Sequence, residues 1–233
     1  MKQIDKVDFN TYPFKLMTDN EIIESDSVII STGASAKLLG IKGEVEFVGR
    51  GLSTCATCDG FFYKNKSIHV IGGGDSAMEE AIFLTKFASK VTIVHRRDVL
   101  RASKIMADRA LNNEKIDFLW NAEPIEFIGN EEKGLHAIVY KDSKTERKAQ
   151  IDTDGVFIAI GHNPNTNLFK DVLKIDQNGY LITAGKSSRT NIEGVFASGD
   201  VQDSIYRQAI TAAGSGCMAA IDAERFLEQK HEL

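Results

Sequence analysis

Residues Ser53 to Ala81 read "STCATCDGFFYKNKSIHVIGGGDSAMEEA". The middle of this stretch is a short apolar strand, "SIHVIGGG", that ends in a run of glycines. The segment after it, "DSAMEEAIFLTKFAS", carries apolar residues at Met78, Ala81, Ile82 and Leu84, the spacing of a helix with one buried face. Gly72, Gly74 and Ala77 complete a G-x-G-x-x-A pattern between the two. A second strand, "KVTIVHRR", follows roughly 20 residues on, which is the setting of a dinucleotide-binding turn. In that setting the glycines let the backbone approach a pyrophosphate, and the helix start offers N–H donors and the positive end of its dipole.

The same spacing recurs at Gly214, Gly216 and Ala219 in "GSGCMA". That copy follows "YRQAITAA", which reads as helix or turn, so the expectation there is close helix packing and no nucleotide. The second strand of the first copy ends in His95-Arg96-Arg97, with Arg101 one helical turn further on. An NAD site usually carries an acid here for the ribose 2′-hydroxyl. Arginines suit a 2′-phosphate, which a guanidinium grips bidentately. Two arginines at a strand end are commonly a solvated edge, but position and number together favour NADP(H).

Strand and helix alternate outward from this element, through "KVTIVHRR" and "SKIMADRALNNE", as in a parallel α/β sheet. The stretch from Lys37 to Gly51 reads as loop. The middle turns β-like in "AEPIEFIGN", "GLHAIVYKD" and "ERKAQIDTDGVFIAIG", and "HNPNTNLF" reads as a hinge or domain crossing. "GYLIT" reads as strand, and a small-residue helix is expected from about Ile205 to Glu228. Three strands, "VIISTG", "VFIAIG" and "VFASGD", each deliver a glycine at the carboxyl end, where open α/β sheets bind ligands.

The chain has 233 residues, 42% hydrophobic and 26% charged, with net charge −5 and no block of either sign. That composition allows one large or two modest soluble domains and points away from nucleic acid and anionic membrane surfaces. The opening "MKQIDKVDFN" has no apolar leader segment, and no apolar run approaches the ~20 residues of a membrane span. The expected compartment is the cytoplasm.

The pair Cys55 and Cys58 can be half a zinc site, a structural bridge or a disulfide that is reduced and re-oxidised. Zinc wants four ligands, and Cys217 with five scattered histidines supplies no second short-spaced pair, so no metal is expected. Beside NADPH the pair reads as a dithiol/disulfide couple. Hydride does not pass usefully from a nicotinamide to a disulfide, so this reading implies a flavin. Two strand ends are placed to hold it, Thr32-Gly33 and Gly199-Asp200.

"CATCDG", "GGGDSAMEEA", "HRRD", "GHNPNT", "GDV" and "YRQAITAAGSGCMAA" together resemble the low-molecular-weight thioredoxin reductases, in that order and over essentially the whole chain. The resemblance implies an α/β fold in which a Rossmann-like NADPH domain is inserted into a split FAD-binding domain. On this chain that gives residues 1–36 and 163–233 to the FAD domain and 37–162 to the NADPH and redox-disulfide domain. It implies that Cys58 faces the flavin, Cys55 attacks the disulfide of thioredoxin, and Asp59 handles the thiol proton. FAD contacts carry over onto Thr32, Gly33, Gly199, Asp200, Arg207, Gln208 and Ala209. Those of NADPH carry over onto Gly74, Asp75, Ser76, His95, Arg96, Arg97 and Arg101, beside the Gly72 and Ala77 of the glycine pattern. Thioredoxin and a second copy of the chain are the implied partners.

One departure concerns FAD. The family opens with a βαβ unit whose glycine turn holds the FAD pyrophosphate, and this sequence starts after it. The expectation is weak FAD binding by these residues alone, and a non-catalytic NADPH-binding module is the alternative reading. A peroxiredoxin-reducing flavoprotein shares the same core, and a ferredoxin-type reductase lacks the cysteine pair.

Overall fold

The computed structural model describes residues 2–231. The chain divides into two compact units: residues up to Ser35 together with those from His162 onward, and Ala36–Gly161 between them.

In the first unit the chain begins with three short strands, β1 (Lys6–Asp8), β2 (Phe14–Met17) and β3 (Ile22–Ser25), paired antiparallel in that order. These strands, three or four residues long and rich in charge, carry no readable alternation and have no counterpart in the sequence reading. Next come β4 (Val28–Ile30) and β5 (Ala34–Ala36).

The inner unit opens with a helical turn, α1 (Glu44–Phe47), inside the stretch that reads as loop. It continues through β6 (Leu52–Ser53), α2 (Ala56–Asp59), β7 (Ser67–Ile71), α3 (Asp75–Leu84), β8 (Lys90–His95), α4 (Lys104–Leu111) and β9 (Ile116–Trp120). Three longer strands, β10 (Ala122–Asn130), β11 (Gly134–Asp142) and β12 (Lys148–Asp152), form an antiparallel meander, and β13 (Val156–Ile158) returns to the first sheet. That sheet has the order β6-β13-β7-β8-β9 and its pairs are parallel.

Both faces of this parallel sheet are covered, which is why its strands read as unbroken apolar runs. Ile68, Val70, Val91, Ile93 and Phe157 point to the helix side and pack on Ala77, Met78, Ala81 and Leu84 of α3. Their neighbours Ile71, Val94, Val156 and Ile158 point to the other side and pack on Phe127, Leu135 and Ile138 of the meander. The period of two along each strand sorts the side chains between the two cores. The architecture is α/β and Rossmann-like.

Back in the outer unit, β14 (His162–Pro164) and β15 (Val195–Ala197) precede a long helix, α5 (Ala209–His231). β15 pairs parallel with β4, Val195 opposite Val28 and Ala197 opposite Ile30. Val195 and Ala197 join a core with Val7, Phe14, Phe169 and Leu181, while Phe196 packs on Ala219, Ala223 and Phe226 of α5. Ile29 of β4, expected in a buried strand, is exposed. "GYLIT" forms only an isolated bridge, Ile175 to Leu181. The helix starts later than its small-residue pattern suggests. The Asp203 carboxylate gathers the N–H groups of Ile205, Tyr206 and Arg207, and Arg207 sits at φ 47°, outside any helix. Among the described residues no helix is long and apolar enough to cross a membrane.

Candidate functional site

The cysteine pair lies at the end of β6, whose Leu52 and Ser53 are buried beside β13. Cys55 and Cys58 are joined as a disulfide, with Cα atoms 5.3 Å apart. Cys55 caps α2, and the Cys58 N–H donates to its Sγ at 3.2 Å. Ser53 knots the turn: its Oγ accepts the Cys55 N–H at 3.0 Å and donates to Asp59 Oδ2 at 2.7 Å. The acid is thereby held on the same short segment as both sulfurs. Tyr63, half-buried beneath it, has its phenol pKa raised, first by burial and then by the Asp59 charge. Ser53 has no part in the sequence reading, and no spacing rule would have singled it out. Among the described residues no three His, Cys, Asp or Glu side chains gather as a metal site.

The glycine turn follows β7. A Cβ on Gly72 would lie 2.5 Å from the Ala159 carbonyl oxygen and 2.6 Å from the Ala77 Cβ, so strand and helix meet only because that position is bare. Ala77 is fully buried and serves the turn by this packing. A Cβ on Gly73 would run into the His95 ring at 2.2 Å. Gly74, just ahead of α3, differs: a Cβ there would meet no protein atom within 4 Å, which leaves room for a ligand to approach the backbone. Exposed Asp75 and Ser76 open the helix. Asp75 Oδ1 accepts the Ser103 N–H at 2.7 Å, and the Gly73 carbonyl accepts the N–H groups of Arg101 and Ala102 at 2.7 and 3.0 Å. The loop after β8 is thus tied to the glycine turn.

These elements enclose a cavity of about 340 Å³ whose lining includes Gly72, Gly73, His95, Arg96, Arg97 and Arg101. Asp98, the acid among the arginines, is occupied by Lys144 at 2.7 Å. His95 is buried and its Nε2 donates to the Val99 carbonyl at 3.1 Å. Its pKa is lowered, chiefly by burial and further by the charges of Arg101, Arg97 and Arg96. The buried imidazole thus shares the cavity lining with three arginines. The lining also includes Leu39, Ile41, Glu123 and Pro124, which come from distant stretches and carry no sequence signal.

The third group lies in the outer unit. The parallel pair β4 and β15 brings Ser31-Thr32-Gly33 beside Ser198-Gly199-Asp200, with Ser31 Oγ and Ser198 Oγ 2.7 Å apart. Asn165 stitches the first turn: its side chain donates to the Thr32 carbonyl, and its carbonyl accepts the Thr32 hydroxyl, both at 2.8 Å. The Gly199 N–H donates to Ser215 Oγ of α5 at 2.9 Å. Gln208 and Ala209 lead into that helix, where the Gln208 carbonyl accepts the Ala212 N–H at 2.9 Å. Gly33 and Gly199 have open space where a side chain would stand, apart from Ala212 Cβ at 3.6 Å from the latter.

The profile of the pyridine nucleotide-disulphide oxidoreductases matches residues 1–216. A thioredoxin reductase of Rickettsia conorii is 52% identical over 229 residues, which are 97% of this chain and 74% of that protein. Thioredoxin reductase 2 of Arabidopsis thaliana is also 52% identical, over 97% of this chain and 61% of its own length. The crystal structure of thioredoxin reductase from Streptococcus pyogenes superposes with a TM-score of 0.92 at 42% identity, covering 98% of this chain and 74% of that one. The chain belongs to the thioredoxin reductase family. As a thioredoxin reductase it is an oxidoreductase, and its described residues include the redox disulfide.

Proposed function

We propose that the chain passes reducing equivalents from NADPH, through FAD and the Cys55–Cys58 disulfide, to thioredoxin. The observation that carries this reading is the disulfide tied through Ser53 to Asp59, in the same unit as an arginine-rimmed cavity behind a glycine turn. In this reading Ala36–Gly161 binds NADPH and the outer unit binds FAD. The turn at Gly72–Gly74 and the start of α3 take the nucleotide pyrophosphate, and Arg96, Arg97 and Arg101 take the 2′-phosphate. Thr32, Gly33, Gly199, Asp200, Arg207, Gln208 and Ala209 hold the flavin. FAD, when bound, supplies the conversion between hydride and thiol chemistry.

Two electrons open the Cys55–Cys58 bond, and Asp59 holds or releases the thiol proton. The Cys55 thiolate attacks one sulfur of the thioredoxin disulfide, forming a mixed disulfide and expelling the other sulfur as thiolate. The Cys58 thiolate then attacks the Cys55 sulfur, which closes the original disulfide and releases thioredoxin as the dithiol. A homodimer in the cytoplasm completes the reading on family grounds.

Cys58→Ser should abolish NADPH-dependent thiol formation in thioredoxin while leaving NADPH binding intact. Turnover that survives Cys58→Ser would remove the disulfide from the path. The alternative reading is an NADPH-binding module with weak flavin affinity, and the absorbance spectrum of the purified chain separates the two. A yellow protein with one FAD per chain would sink the second.

A further inference from the structure

We propose that Glu44 is a positioning residue for the nucleotide cavity, its buried carboxylate fixing the Leu39–Ile41 wall against which the nucleotide rests. The inference depends on the cavity being the nucleotide site, as proposed above. Glu44 is 1% exposed, the most buried of the charged side chains in the core. It is met by two backbone donors: the Leu39 N–H at 2.7 Å on Oε1 and the Gly40 N–H at 2.6 Å on Oε2. These are short bonds, and among the described residues no Lys, Arg or His forms an ion pair with the carboxylate.

The segment is anchored at two points of different kinds. Its base is fixed on β10. A Cβ on Gly43 would lie 2.4 Å from the Phe127 carbonyl oxygen, the Phe127 N–H donates to the Lys42 carbonyl at 2.9 Å, and Lys42 Nζ meets Glu126 Oε1 at 2.6 Å. Its tip, Leu39 and Gly40, relies on the Glu44 carboxylate. Leu39 and Ile41 both line the cavity. Only a carboxylate offers an acceptor oxygen to each of the two N–H groups, whereas an amide turns a donor toward one of them. A carboxylic side chain buried to this degree and held by two backbone N–H groups is a costly way to tie down a loop. It is accounted for when the loop must hold one shape before the nucleotide arrives, so that binding does not bear the entropy of ordering it.

The test titrates the whole chain with NADPH and NADH, for the unaltered protein, Glu44→Gln and the double variant Arg96→Ala/Arg97→Ala. Glu44→Gln should weaken both nucleotides by about tenfold, the scale of one lost charge-assisted bond, and leave their ratio unchanged. Hydrogen exchange should speed up at the Leu39 and Gly40 amides while β7 and β8 stay protected. Unchanged affinity with faster exchange at those amides would overturn the proposal, since the carboxylate would then serve the loop alone. The arginine variant should weaken NADPH and spare NADH. If it changes neither, the cavity is not the nucleotide site, and both proposals fall for that reason and not through Glu44. Should Glu44→Gln not fold, the unaltered chain decides: NADPH should slow exchange at Leu39 and Gly40, and no change there overturns the proposal.

Discussion

Two stretches of this chain share the spacing G-x-G-x-x-A, and the molecule treats their first glycines in opposite ways. At Gly72 and the intervening Gly73, strand, helix and a histidine ring converge so closely that a methyl group on either would collide with protein atoms, while Gly74 faces open space. At Gly214 and Gly216, inside α5, a methyl group would meet nothing within 4 Å. The expectation of close helix packing for the second copy holds at Ala219, fully buried against Phe196, but not at the two glycines, which sit on an open stretch of helix near exposed Ile210 and Met218. Spacing is therefore no guide to what a glycine does. The element before it is the guide, because a buried strand that runs head-on into a helix forces the backbone into close approach and a continuous helix does not.

The comparison breaks most readily at Gly73. Its missing side chain leaves room for the His95 ring, which is buried and tethered through Nε2 to the Val99 carbonyl. Gly73→Ala must displace that ring or the turn, an overpacking that should cost about 1–3 kcal/mol. Because the ring and the turn both line the cavity, NADPH affinity should fall with it. Urea unfolding and a nucleotide titration read the two effects. A variant with an unshifted midpoint and full affinity would mean that the first copy is as slack as the second.

The elements that carry the two copies should also respond differently to acid. On β7, buried His69 shares a 2.8 Å hydrogen bond with Thr153 Oγ1, and burial lowers its pKa to about 4. Between pH 6.5 and about 4 the unfolded chain binds a proton that the folded chain refuses, so stability falls as pH falls through that window. The full loss is about 3–4 kcal/mol from a shift of this size. On α5 the perturbed group is Asp222, whose carboxyl is lowered, chiefly by the hydroxyl of Ser188. Its contribution persists on acidification until pH drops below the ordinary carboxylate value of 3.8. Urea midpoints across this range should slope for the unaltered chain and flatten for His69→Gln. An equal slope in both would assign the acid sensitivity elsewhere.

What the sequence made legible follows the same division. The parallel sheet, the glycine turn, the arginines and the cysteine pair could be read because each is local: a run, a spacing or a strand end. β1 to β3 escaped because strands of three or four residues, with four of their eleven residues charged, leave no period to detect. α1 escaped because Gly40, Gly43, Gly49 and Gly51 dominate its surroundings. Asn165, Ser215 and the cavity wall at Leu39 and Ile41 act through partners brought near only by folding. Asn165 is 133 residues from Thr32, and no local pattern can encode that pairing.

The smallest expected effect is the sharpest check on the contrast. Gly214 lies in the interior of a 23-residue helix, where glycine has lower helix propensity than alanine by about 0.8–1 kcal/mol. With open space at its Cβ position, no steric term opposes that gain. Gly214→Ala should therefore raise stability by about 0.5–1 kcal/mol, partly by narrowing the unfolded ensemble, and should leave NADPH affinity untouched. The same replacement, glycine to alanine within the same six-residue spacing, is thus expected to change sign between the two copies. If Gly214→Ala destabilises the chain instead, some group absent from the described residues must rest against that helix, and the second copy would be a packing glycine after all.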